Sequence, residues 1–321
     1  MNKKSIKILA WPKESNQRSN PYNYNLYRYF KSNVFEFKKF QINFRFDIYH
    51  IHWPETYLLC NNIFKYFIGS CYVLFVLFFF KIFKKKIIWT VHNIKPHFSY
   101  YTFFNTFFYK ALNTLTDKYI FLNNRDFHSI KSDNKIIIRH GLDLISQNKY
   151  NLLKKETQNY FLFFGGITKY KNIDLLIRNF NSFNYSNIKL LIIGKSYDND
   201  YLSFLNNLSN SNDNIEIIPE FVLEDKLYEY IINSIAVLIP YSNNNSGVLY
   251  KSLECRKQVV TIYSELNEEF SKLFGSDKII QHDFSKLIEF NLNTDLSRFE
   301  NLGQYHWSKI AQKTENFIIN D

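Results

Sequence analysis

Acid–base and phosphate chemistry are both written into a few short stretches of this 321-residue sequence. His50 and His52 alternate along DIYHIH (47–52), and Trp53-Pro54-Glu55 follows at once. IIWTVH (87–92) ends in His92-Asn93, and KIIIR (135–139) runs into His140-Gly141. An imidazole exchanges a proton near neutral pH, and a carboxylate just past a strand is a ready proton acceptor. His52 and His92 are therefore read as functional. His50, inside the apolar run, is read as a packed strand residue. Glu55 is either a base or a cap of its turn, and His140 stands between the two roles. No third ligand completes the HxH pair, so zinc is not expected.

Two further stretches suit an anion. FFGGITKYKN (163–172) is a strand, a glycine turn and a basic pair ahead of a helix; PYSNNNSGVLYKSLE (240–254) sets Ser246-Gly247 at a helix start. Free N–H groups at a helix N-terminus bind phosphate, and the ammonium of Lys169 or Lys171 would neutralise it. Only eight glycines occur, and five of them, Gly141, Gly165, Gly166, Gly194 and Gly247, fall in loops after strands. In a chain that avoids glycine, this implies that something approaches the backbone closely there.

The elements that must hold these residues alternate. Strands are expected at 6–10, 47–52, 87–92, 118–122 and 135–139, with helices between them. After a polar linker, 148–159, strands recur at 160–164, 189–193, 215–218, 236–239 and 259–262. Strand and helix in alternation mean parallel sheets covered on both faces, so the fold class is α/β with two Rossmann-like domains, 1–150 and 151–300, and a terminal helix, 301–321, packing back towards the first. In such sheets ligands sit beyond the carboxyl ends of strands, where the residues above fall. With 46% hydrophobic and 19% aromatic residues the chain is not disordered.

Charge divides as the domains do. Residues 1–155 hold 25 Lys+Arg and 8 Asp+Glu, giving +17; residues 156–321 hold 15 and 21, giving −6; the sum is +11. The basic half points to nucleic acid, anionic lipid or a phosphorylated ligand. Residues 66–80 are apolar and uncharged, shorter than the roughly 20 residues of a membrane span. A buried helix is expected there, and Lys81, Lys84, Lys85 and Lys86 would face anionic headgroups if it also meets a membrane surface. Three cysteines without metal spacing suggest free thiols in a reducing compartment. The start lacks the long apolar run of a signal peptide, so a cytoplasmic location is expected.

DIYHIHWPE, WTVHNIKPH, the His-Gly after a strand, FFGGITKYKN, PYSNNNSG and the tail WSKIAQKT together resemble bacterial glycosyltransferases of the GT-B fold. The likeness is nearest to family-4-like enzymes and the β-mannosyltransferase-type enzymes of capsule and exopolysaccharide assembly, and it runs over nearly the whole chain. It implies a nucleotide-diphosphate sugar, GDP favoured over UDP, bound by the second domain without a metal or other cofactor. Gly165, Gly166, Lys169, Lys171, Tyr241, Asn245, Ser246 and Gly247 would hold the diphosphate, and Gly194, Phe221 and Val222 the nucleobase. The acceptor, a glycan or polyprenyl-linked saccharide at the inner membrane face, would meet Asn20, Tyr22, His52 and Trp53.

Departures from the family are specific. Gly166 stands where an arginine is usual, and Lys169 is the substitute at hand. Asn243 and Lys251 stand where many retaining members carry paired glutamates, so inversion is expected. Arg256 and Gln258 replace a glycine and a proline after the helix, and Asn20-Pro21-Tyr22 replaces a first-domain Gly-Gly loop. Glu55 is the expected base, because an ionised carboxylate is ready at neutral pH, with His92 on the donor sugar or phosphate. The competing readings are a GT-B nucleotide-sugar epimerase and a basic nucleic-acid binder; no nucleic-acid partner is expected, since that reading leaves the phosphate loops unexplained.

Overall fold

A computed structural model describes residues 6–17, 20–38, 45–58, 62–94, 101–155, 159–182, 187–242, 246–284 and 295–320. They form two compact units: Met1–Gly141 with Tyr305–Asp321, and Leu142–Gln304. Each is built on a parallel six-stranded sheet.

The strands of unit 1 are β1 Lys7–Trp11, β2 Asn33–Glu36, β3 Ile48–His52, β4 Lys86–Val91, β5 Lys118–Phe121 and β6 Lys135–Ile137, in the order β2-β1-β3-β4-β5-β6. The order reverses between β1 and β3. β2 was not expected: it is a sheet edge, half exposed and polar at Asn33 and Glu36, so it carries no apolar run. Successive strand side chains point to opposite faces. One face carries Ile48, Ile88 and Ile120 and is covered by the helices Tyr22–Tyr27 and Trp307–Ile319. The other carries Tyr49, Ile51, Ile87, Trp89 and Val91 and is covered by the helices Ile63–Ile82 and Thr102–Leu115.

The helix Ile63–Ile82 begins at an Asn62 cap, whose side chain accepts from the Lys65 N–H. Its twenty residues take in the uncharged fifteen, with Ile63–Lys65 and Lys81-Ile82 at the ends; by length and composition it could cross a membrane. Yet Tyr66, Val73, Leu77 and Phe80 on one side are buried in the core of unit 1.

The terminal helix returns to unit 1 as expected. Trp307, Ile310, Ala311 and Ile318 join the core against β1, and the Glu315 carboxylate accepts from the backbone N–H groups of Lys31 (3.0 Å) and Ser32 (2.6 Å). What approaches Gly141 is therefore protein, not ligand: a Cβ there would stand 2.3 Å from the Trp307 indole.

Unit 2 has β7 Tyr160–Phe164, β8 Lys189–Ile193, β9 Ile215–Ile218, β10 Val237–Ile239, β11 Val259–Thr261 and β12 Ile279–Gln281, in the order β12-β11-β10-β7-β8-β9. That is the dinucleotide-fold order, with its switch between β7 and β10. The divisions fall at 141 and 304 rather than at 150 and 300. The Asp143 and Ile145 N–H groups donate to Glu254, tying this segment to unit 2. The stretch expected as a linker holds the helix Gln147–Leu153, capped by Ser146. Arg256 takes the left-handed conformation, φ 54°, at the turn where a glycine is usual.

Gly141→Ala should destabilise unit 1 by about 1–3 kcal/mol, the usual cost of overpacking. Gly303→Ala, where an added Cβ meets nothing within 4 Å, should stay within about 0.5 kcal/mol. Denaturant midpoints of the two variants check the contrast.

Candidate active site

In unit 1 the register of β3 against β4 does most of the positioning. His52 lies opposite Thr90, so His50 and His52 share a face with Thr90 and His92 by the two-residue period. That face lies under the helix Tyr22–Tyr27, and a hydrogen-bonded chain results. Thr90 Oγ1 meets His50 Nε2 (2.8 Å), His50 Nδ1 meets the Tyr27 hydroxyl (2.8 Å), that hydroxyl meets His52 Nε2 (2.7 Å), and His52 Nδ1 meets His92 Nε2 (3.0 Å). Burial lowers all three imidazole pKa values, that of His50 to about 3, so they are neutral at pH 7. Tyr22 packs edge-on against His92, His140 and Trp307 and closes the layer. Trp53, held at φ 43° before Pro54, stacks on His92 with centroids 3.9 Å apart.

Glu55, in the short turn Pro54–Leu58 after β3, is 4% exposed and accepts from Asn93 Nδ2 at 3.3 Å. Burial pushes its pKa up to about 7, against the opposing pull of that hydrogen bond. The expectation of a carboxylate needing no shift is thus corrected: Glu55 titrates in the neutral range, where general bases work best. The acceptor assignment changes too. Tyr22 and His52 are 2% and 1% exposed and fill the layer behind His92, so they position other groups instead of offering atoms to an acceptor. Asn20 is spent on its own turn, its side chain accepting from the Tyr22 N–H. His140 is likewise a packing residue, against Trp307 and Tyr22. A cavity of about 740 Å³ opens elsewhere in unit 1, where Trp89 Nε1, the Tyr109 hydroxyl and Asn113 Oδ1 have no hydrogen-bond partner among the described residues.

Unit 2 gathers the second set at its switch point. β7 ends in Gly165, φ 110°, and β8 in Gly194, φ 153°. Their backbones nearly touch: a Cβ on Gly194 would stand 2.0 Å from the Gly165 carbonyl oxygen, and one on Gly165 would crowd Lys171 Nζ and Val248. Lys171 follows in a single 3-10 turn, and the next residue, Asn172, bonds the Pro240 carbonyl at 3.1 Å, drawing the loop after β7 towards the end of β10. There the Tyr241 hydroxyl bonds Ser246 Oγ (2.9 Å), and Ser246 caps the helix Gly247–Glu254.

Lys171 is the exception among buried lysines. Lys118 bonds the Phe317 carbonyl, Lys257 the Ser234 carbonyl, and Lys278 pairs with Asp277. The Lys171 ammonium has no hydrogen bond or ion pair among the described residues, only the rings of Phe163, Tyr170 and Tyr241 at 5.7–5.9 Å. Burial lowers its pKa to about 8. A cation kept at that cost beside a helix N-terminus is chemically suited to receive an anion. Lys169 does not join it: it is exposed and turned towards Asp198, 3.5 Å away, so it does not stand in for the missing arginine at Gly166. Phe221 is exposed and Val222 half-buried, after β9. Asn243 and Asn245 lie outside the described residues. Lys251 is occupied by Glu224 and Glu254, each at 2.9 Å.

Tyr27 and Thr90 were missed from the sequence. The available signal was two HxH-like alternations, HIH on β3 and TVH on β4, which parallel pairing puts on one face.

The fold these two units define is the two-domain α/β GT-B fold. Over 98% of this chain and 96% of its own, HepE of Anabaena, solved with UDP and glucose, matches at 13% identity and TM-score 0.61. A glycosyltransferase from Rickettsia africae matches over 99% of this chain and 100% of its own at 11% identity and TM-score 0.65. WaaG, a glycosyltransferase involved in lipopolysaccharide biosynthesis, matches over 98% and 100% at 11% identity and TM-score 0.60. Residues 145–279, within unit 2, match the family model described as Glycosyl transferases group 1. No curated protein matches by sequence. The family match lies within unit 2 and covers less than half of the chain, and the likeness to the solved structures is one of fold.

Lys171→Met should weaken UDP or GDP binding roughly ten- to hundredfold, the value of one charge-assisted hydrogen bond. It should not lower the melting temperature, because it removes a buried unpaired charge. Calorimetric titration and thermal unfolding of the same variant separate the two effects.

Proposed function

We propose that this protein transfers a sugar from a nucleotide-diphosphate sugar to a saccharide or lipid-linked oligosaccharide acceptor in surface polysaccharide assembly. The observation that carries the reading is the Lys171 ammonium, without a hydrogen-bond or ion-pair partner among the described residues, beside Ser246-Gly247 and inside the segment that matches group 1 glycosyl transferases. Departure of a nucleoside diphosphate develops negative charge, and preorganised N–H donors and an ammonium stabilise it. The reading needs no metal for that step, so transfer should persist in a chelator. The UDP of HepE sets uridine beside the guanosine favoured from the sequence, and binding of the two decides between them.

On the acceptor side, Glu55 is the base. A hydroxyl attacking the anomeric carbon must lose its proton, and a carboxylate with a pKa near 7 takes it efficiently. With Lys251 held by two glutamates where a retaining enzyme carries one, the reading is inversion. The 740 Å³ cavity, whose Tyr109 feels the Glu55 charge, offers unpaired polar atoms to acceptor hydroxyls.

A base must be deprotonated to act. Activity should therefore fall tenfold per unit as the pH drops below about 7, and be flat above it. Glu55→Gln should lose about 10²–10⁴-fold in kcat and this acid limb with it, while nucleotide binding is unchanged. A variant with near wild-type kcat would remove Glu55 from the chemistry, and NMR of the product anomer reports the stereochemistry.

We further propose that unit 1 works against an anionic inner-membrane surface. The outward face of the helix Ile63–Ile82 exposes Phe64, Ile68, Phe75, Phe78 and Ile82 at spacings of three, four and seven, and Phe103 and Phe107 are exposed on the helix Thr102–Leu115. Of the flanking lysines, Lys81 is paired with Asp117 and Lys85 with the Phe46 carbonyl, which leaves Lys84 exposed. Apolar insertion, more than charge, is then the main force. Phe64→Ser with Phe75→Ser should release the protein from anionic vesicles in cosedimentation, and Lys84→Gln should only weaken binding slightly and make it less salt-sensitive. Binding untouched by the serine variants would overturn the apolar part of this reading.

A further inference from the structure

Three neutral imidazoles, one phenol and one threonine hydroxyl form the chain Thr90–His50–Tyr27–His52–His92, with four links and all five groups buried. Each group has a single proton to give, because each imidazole is neutral. Every link needs one hydrogen, and Tyr27, shared by two ring nitrogens, can donate to only one of them. Three patterns satisfy all four links, but the one in which Tyr27 accepts from both rings leaves its own buried proton with no acceptor among the described residues, and two remain. In the first, Thr90 donates to His50 Nε2, His50 Nδ1–H to Tyr27, Tyr27 to His52 Nε2, and His52 Nδ1–H to His92 Nε2. In the second, every arrow is reversed.

The ends of the chain decide between them. Reversal turns the Thr90 hydroxyl into an acceptor, and its own proton then needs a second partner. Among the described residues Thr90 Oγ1 has none besides His50, and the residue is fully buried. An unmade hydrogen bond in such a place biases the populations roughly tenfold or more. In the first pattern the only group left over is His92 Nδ1–H, and His92 keeps 7% of its surface exposed where Thr90 keeps none, so that N–H can meet water or a ligand.

We propose that the Thr90–Tyr27 relay holds His50, His52 and His92 together in the Nδ1-protonated form, so that His92 offers a fixed N–H donor and not a proton acceptor. This is opposite to the Nε2–H form that free histidine favours in water. Tyr27 and Thr90 are positioning residues, acting on His92 through two other rings. The ligand that receives the His92 N–H, an oxygen of the donor sugar or its phosphate, rests on the function proposed above; the tautomer does not. The same assignment leaves Glu55 as the base, since a donor fixed at Nδ1 cannot accept the acceptor's proton there.

The test is long-range ¹H–¹⁵N NMR of the whole protein with labelled histidine, the His92 signals being identified by their loss in His92→Asn. The expected spectrum has His92 with a protonated Nδ1 and a bare Nε2, unchanged between pH 6 and 8. Tyr27→Phe removes the shared hydroxyl and Thr90→Val the terminal donor; each should give a mixture of both forms at His92. A role in packing alone would lower stability and leave the tautomer as it was. A wild-type His92 with a bare Nδ1, or variants with an unshifted tautomer, would overturn the proposal. If Tyr27→Phe fails to fold, Thr90→Val and the wild-type spectrum still decide it. Absence of glycosyl transfer with the expected spectrum would remove the functional reading and leave the relay intact.

Discussion

Polar side chains in a dry layer must satisfy one another, and in unit 1 that requirement governs the face of β3 and β4 that carries His50, His52, Thr90 and His92. A half-connected buried network costs more than an apolar core. Here the network is complete only because three separate features coincide. Parallel register brings His52 opposite Thr90. The helix Tyr22–Tyr27 delivers one hydroxyl between two imidazoles. The terminal helix seals the layer, with Trp307 on Gly141 and Tyr22. A chain segment from the far end of the sequence is therefore part of the wall behind His92, and loosening it would admit water to rings whose neutrality depends on burial.

Unit 2 follows the opposite principle. Its switch point holds an ammonium with no hydrogen bond or ion pair among the described residues, whereas the histidine layer of unit 1 is uncharged and linked throughout. The close approach of Gly165 to Gly194 brings the ends of β7 and β8 together without side chains between them, and the tight turn then returns Lys171 over the gap. Aromatic rings, not carboxylates, surround the ammonium. In the function proposed above, such a site would stabilise a developing anion without having to break an internal ion pair first, which is what preorganisation means in energetic terms.

The helix Ile63–Ile82 shows one sequence serving two environments. Apolar residues at heptad-like spacing on each side give it two apolar faces. One is consumed by the sheet, and the other is left open beside Phe103 and Phe107. An exposed apolar surface of this extent marks an interaction site more often than a packing accident.

Much of this was legible in the residues alone. Apolar strand runs in alternation with helices specify parallel sheets, because only helices on both faces can bury such strands. Glycine before a basic turn and serine before a helix mark where local backbone geometry suits an anion, and Gly165, Lys171, Ser246 and Gly247 were named as candidates from spacing on that ground. Tertiary structure decided what spacing cannot express. Lys169 and Lys171 are two residues apart and equally basic, yet one turns to Asp198 and the other stays unpaired. Gly141 and Gly165 look alike after their strands, yet one receives an indole and the other borders the lysine. His50, Tyr27 and Thr90 became one device only when register and a helix docked them. Whether a polar group is partnered, and whether a carboxylate such as Glu55 is desolvated, depends on atoms distant in sequence.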